Sequence, residues 1–155
     1  MPASQTLKYR LKKHKLRKVG TIAGNLENVK NVDRWVNSEN TNMQMSRYYE
    51  GTISGTIRYL GAQRDFAGEV MEDVIGNDLR ARMAGRTSVE PATVLDTDSG
   101  ELKNTHNVKK ILHVAAVRGV RGVPGKSYHP DENVEQCVTK ALETGRLRSF
   151  SRIWM

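Results

Sequence analysis

Cysteine is nearly missing from this chain: Cys137 is the one thiol among 155 residues. One thiol excludes an intramolecular disulfide framework and a cysteine-based zinc cluster. Long apolar runs are missing as well. No stretch approaches the length of a membrane span, and the N-terminus lacks the apolar segment of a signal peptide. The expectation is a cytoplasmic chain with no membrane partner. Histidine is sparse: His14, His106, His113 and His129 are scattered with no i, i+4 pair, so no metal and no cofactor is expected. Aromatics make up 6% and hydrophobic residues 37%, polar for a domain of this size but not the composition of a disordered one.

Acid is absent from the first 26 residues, which carry Lys8, Arg10, Lys12, Lys13, Lys15, Arg17 and Lys18; the first carboxylate is Glu27. The formal net charge is +8, and outside this segment the charges nearly balance. Two readings stay open. One is an electrostatic arm for nucleic acid or another polyanion. The other is a solvated edge strand, since Lys on an edge discourages aggregation and Leu7, Tyr9 and Leu11 alternate with polar residues.

Residues 16–23 mix β-branched and apolar side chains and stop at the turn pair Gly24-Asn25, which predicts a strand. Residues 32–37 predict a second strand. Ile53, Ile57 and Leu60 predict a helix over 50–61, and Phe66, Val70, Val74, Ile75, Leu79 and Met83 predict another. A strand is expected from Pro91, with Asp96, Asp98 and Glu101 at a solvated hairpin tip. The apolar run 109–117 reads as a central strand covered on both faces. A helix follows Pro130 or Asp131, with Val134, Cys137, Val138, Ala141 and Leu142 on one face and Gly145 as its C-terminal cap. A last strand begins near Arg148. This interleaving predicts an α/β layered fold with a mixed sheet. Ligands collect at the carboxyl ends of strands in such sheets, where the Asn-rich loops 24–31 and 37–42 lie.

At this point the chain resembles the macro domain family, the ADP-ribose-binding module. Val-Gly-Thr-Ile-Ala-Gly-Asn-Leu at 19–26 is similar to the family's first core strand ending in Gly-Asp-Ile. Val-Asp-Arg-Trp-Val-Asn-Ser-Glu-Asn-Thr at 32–41 resembles the V-D-A-I-V-N-A-A-N element, its most specific part. Ser54-Gly-Thr-Ile-Arg resembles the start of the next helix, and 109–117, His113 included, the family's Y-I-H-x-V strand. The resemblance implies a three-layer α/β/α macro-type fold with a mixed central sheet, over a single domain with a basic N-terminal strand or arm at 1–18. The family's last strand and helix are not expected, so self-association or a partner chain completing the sheet is implied.

The resemblance also implies a ligand site. Asn40 maps to the Asn that meets the distal ribose. Asn25 maps to the adenine-binding Asp, with Gly24 and Leu26 supplying backbone donors. Asn37 is either a ribose ligand or a structural amide at the strand end, and Ser54 maps near the water-positioning Asp of some hydrolases. Asn suits such a ligand because it donates and accepts without charge. A neutral Asn25 is a weaker acceptor than Asp, which implies reduced affinity or altered base preference. The family's glycine-rich stretch is replaced by 45–54, where only Gly51 remains; Arg47, Tyr48 and Tyr49 cannot copy a glycine loop, and two readings stay open for them, residues that stack or pair with a ligand and, the favoured one, exposed loop residues.

Other motifs carry less. The 119–127 segment ends in Gly125-Lys126-Ser127 but lacks the first glycine of a phosphate-binding loop and reads as a surface loop. His113, inside an apolar run, reads as a core histidine, and Cys137 as an inert buried thiol. The expected function is a non-catalytic module that binds or senses ADP-ribose or a related NAD-derived nucleotide. The alternatives are a polyanion-binding protein using the basic segment and an ADP-ribosyl hydrolase with an atypical site.

Overall fold

The alternation of Leu7, Lys8, Tyr9 and Arg10 is realised as an antiparallel ribbon. Strand β1 (Gln5–Arg10) pairs with β2 (Lys18–Ala23), Leu7 opposite Thr21 and Arg10 opposite Lys18. Asn25 then caps a 3-10 turn at Leu26–Asn28, its Oδ1 accepting from the Glu27 N–H at 3.2 Å. The computed structural model describes residues 5–10, 12, 18–30, 32–117, 132–146 and 153–154. The chain divides into two compact units, residues 1–30 and 31–155. Leu11, Lys13, Lys15, Leu16 and Arg17, and the loop expected at 119–125, lie outside the described residues.

The second unit begins with β3 (Arg34–Asn40), α1 (Ile53–Gly61), β4 (Gln63–Arg64), β5 (Val70–Glu72) and α2 (Val74–Met83). It continues with β6 (Val94–Asp98), α3 (Leu102–His106), β7 (Lys110–Val117), α4 (Glu132–Arg146) and β8 (Ile153–Trp154). Its main sheet has the order β6-β7-β3-β8. Strands β7, β3 and β8 run parallel and β6 antiparallel, so the sheet is mixed. The apolar run 110–117 is an inner strand, with Ile111 to Ala115 buried.

Period-two alternation sorts the side chains into two layers. Val36, Val94, Val114 and Ala116 pack with Cys137 and Ala141 of α4. Arg34 is buried on the same face, its Nη1 donating to the Thr144 carbonyl at 3.0 Å near the negative end of the α4 dipole. The other face carries Trp35, Asn37, Ile111 and His113. Helix α1 covers it through Ser54, and α3 through His106, whose ring meets Trp35 edge-on at 5.5 Å. The result is helix, sheet, helix. Among the described residues no helix is long and apolar enough to cross a membrane.

Several element expectations need correction. The helix expected from Phe66 to Met83 exists only from Val74. Its first half is the β4–β5 hairpin, where the Asp65 carboxylate accepts from the Ala67 and Glu69 N–H groups and holds a turn, leaving Phe66 fully exposed. Asp73 then caps α2, accepting from Gly76 N–H at 3.0 Å. The expected hairpin tip at 96–101 instead opens α3: a turn at Gly100, with φ +52°, approaches the Gly61 carbonyl too closely for a Cβ. On α4 only part of the expected face is buried. Cys137 and Ala141 are inside and Leu142 is half-buried, while Val134 and Val138 are exposed. Gly145 lies in the last turn of α4 and does not cap it, since the helix runs on to Arg146.

Candidate functional site

Asn37 and Glu39 stand two apart on β3, so both face α1. Asn37 is 1% exposed and Glu39 is 3% exposed. A carboxylate so deeply buried needs donors. Ser54, in the first turn of α1, donates its hydroxyl to Glu39 Oε1 at 2.8 Å. The Asn37 amide donates to the same oxygen and lies 3.3 Å from Ser54 Oγ. His113, opposite Asn37 on β7, places Nδ1 3.8 Å from Glu39 Oε1 and Nε2 3.0 Å from Thr97 Oγ1 on β6. The network ties three strands to the first turn of α1. Glu39 also puts negative charge at the positive end of that helix, a favourable arrangement.

Directly after Glu39 the register of β3 against β7 shifts, and Asn40 pairs with Val117. This is the carboxyl edge shared by two parallel strands. Asn40 is half-buried, and its Oδ1 accepts from the Gln44 N–H at 3.3 Å. That bond orients the amide, so Nδ2 is the end available as a donor. The loop after β3 is anchored by its own methionines, Met43 and Met45, both buried. Ser46 N–H donates to Ser54 Oγ at 3.2 Å, and Arg58 Nη1 donates to the Ser46 carbonyl at 3.1 Å.

Arg58 organises the outer side of this loop. Its Nη2 pairs with Asp73 Oδ2 at 2.7 Å, and its guanidinium carbon sits 4.7 Å from the centre of the Tyr48 ring. Burial acts to lower the Arg58 pKa, but the hydrogen bond and charge of Asp73 outweigh it and the net shift is upward. Burial, reinforced by Asp73, pushes the Tyr48 phenol up. Tyr48 is therefore a packed element of the loop, which corrects the expectation of an exposed residue. Arg47 and Tyr49 are exposed as expected, joined by a 2.7 Å hydrogen bond.

The structure places the sequence-predicted residues as follows. Asn37 and Ser54 come together, both buried, with their polar atoms engaged in one network. Asn40 lies at the strand end beside them in sequence but half-exposed. Gly24, Asn25 and Leu26 belong to the first unit; Asn25 is exposed, and its side chain bonds Glu27 through both ends. Lys8 and Lys12 are exposed, Arg10 and Lys18 stand in the ribbon, and Lys13, Lys15 and Arg17 lie outside the described residues. Sequence reasoning missed Glu39. Its signal was present: a carboxylate two residues after Asn37 on a strand with a buried face.

The sequence matches no protein-family model and no curated protein significantly. Solved structures do match. The Oceanobacillus iheyensis macrodomain with ADP superposes at a TM-score of 0.66 and 14% identity, covering 98% of this chain and 68% of that one. The fold is that of a macrodomain. The same bacterial macrodomain with MES bound gives 0.63 at 14% identity, over 97% of this chain and 68% of that chain. A mutant of it with ADPR gives 0.61 at 14%, over 96% and 68%. In this macrodomain fold, the parallel β3–β7 edge and the loop pinned by Arg58 frame Asn40. The His113 and Glu39 side chains are buried on the face that α1 covers.

Proposed function

We propose that this chain is a macro-type module that binds ADP-ribose or a related NAD-derived nucleotide without turning it over. The observation that carries the reading is Asn40: a half-exposed amide at the carboxyl edge of two parallel strands, held through its oxygen by Gln44 N–H and free to donate through Nδ2. Such a donor suits a ribose hydroxyl oxygen. The ADP and ADPR carried by the structural neighbours support the ligand class. The non-catalytic part rests on burial. His113 and Glu39 are 0% and 3% exposed, and their polar atoms are engaged with Thr97 and with Ser54 and Asn37, which supports a structural role for both.

The test is isothermal titration calorimetry of the 155-residue chain with ADP-ribose. Asn40→Ala is expected to weaken binding by about tenfold or more, the loss of one well-placed hydrogen bond. Equal affinity in both proteins removes Asn40 from the site. Release of ADP-ribose from a modified target by the wild-type protein overturns the non-catalytic reading.

A further inference from the structure

We propose that the β1–β2 ribbon binds the phosphate backbone of double-stranded nucleic acid. The sequence leaves an electrostatic arm and an edge strand as competing descriptions of the basic segment. The register unites them. Residues opposite one another in an antiparallel ladder share a face, and faces alternate along each strand. Lys8 is opposite Gly20 and Arg10 is opposite Lys18, so Lys8, Arg10 and Lys18 occupy one face. Leu7, Tyr9 and Val19 occupy the other. Lys8 is exposed, as is Lys12 just beyond the strand.

No acidic residue precedes Glu27 in the chain. Arg10 and Lys18 are register partners in the ladder. Among the described residues the ribbon is a sheet of its own, with no third strand. The major groove of a duplex admits a two-stranded ribbon and is bordered by phosphates on both sides. An anionic bilayer offers charge but no groove, and this selects duplex nucleic acid as the partner.

The experiment titrates the full chain into labelled duplex DNA of about 20 base pairs, following anisotropy across salt concentrations. Each phosphate contact contributes about 0.9 to the slope of log affinity against log salt. Replacing Lys8, Arg10 and Lys18 together by Gln is expected to lower the slope by about 2.7. Between about 50 and about 200 mM salt the wild-type protein then loses ~40-fold more affinity than the variant. The charge-matched control replaces Arg64, Arg80 and Lys103, exposed cations of the second unit, and is expected to keep the wild-type slope. A circular dichroism melt checks folding. If the triple variant is unfolded, Lys8→Gln alone decides, with an expected fall of about 0.9. No binding at low salt overturns the proposal. So does an equal loss in the control, an unchanged slope, or tighter binding to phosphatidylserine vesicles at the same salt through the same three residues.

Discussion

Glu39 is the shared acceptor of the buried network on β3. Its Oε1 receives Ser54 at 2.8 Å and the Asn37 amide, with His113 3.8 Å away. Removing the carboxylate takes the acceptor from the buried Ser54 hydroxyl, while the Asn37 amide keeps Ser54 Oγ at 3.3 Å; a buried unsatisfied group costs about 1–3 kcal/mol. Glu39→Ala is therefore expected to destabilise the protein by about 1–3 kcal/mol, and Glu39→Gln by less, since its carbonyl still accepts. Urea denaturation midpoints of the two variants check this; an unchanged midpoint for Glu39→Ala would mean that water replaces the carboxylate. The network also explains why Asn37 and Asn40, three residues apart, have different standings. Asn37 points into the α1 layer, whereas the register shift after Glu39 turns Asn40 to the sheet edge. The Asn-x-x-Asn spacing was legible in the sequence; which amide is sealed depends on what packs over the strand.

The antiparallel pairing of β6 with β7 makes a separate prediction. Asp98 ends β6 directly opposite Lys110 at the start of β7, with Nζ to Oδ1 at 2.6 Å. The Lys110 hydrogen bond holds the Asp98 carboxyl below its ordinary value of 3.8, against a smaller opposing push from burial. A folded-state pKa below the unfolded one means stability that is present above the unfolded value and lost as pH falls through the folded one. Asp98→Asn should flatten the stability loss as pH falls below about 4, measured as urea midpoint against pH. The effect is small because the Asp98 side chain is 70% exposed. Parallel profiles for wild type and variant would show that the pair contributes nothing. At this same scale the 66–83 segment misled the helical pattern. Phe66 and Val70 fit the helix period, but Asp65 and Asp73 capture nearby N–H groups and divide the segment into a hairpin and a helix.

For the whole molecule, nucleotide binding and folding are linked. ADP-ribose at about one hundred times its dissociation constant should add about 2.7 kcal/mol of stability. In a chain of this size that raises Tm by roughly 5–10 °C. AMP, which lacks the distal ribose, should give a much smaller shift; equal shifts would place recognition at the adenylate half and away from Asn40. The layered α/β order, the buried inner strand at 110–117 and the basic segment were written in local patterns: interleaved periods, an uninterrupted apolar run, and a stretch without acid. Those patterns depend only on neighbours along the chain, which is why they survive without coordinates. Three things depended on residues far apart. The sheet order β6-β7-β3-β8 brings Asn37, His113 and Thr97 side by side. The packing of α1 turns Glu39 into a buried anchor. The register of β1 against β2 sets Lys18 on the face of Lys8 and Arg10. Pairing partners and helix contacts are set by the energy of the assembled layers, so only the tertiary structure decided them.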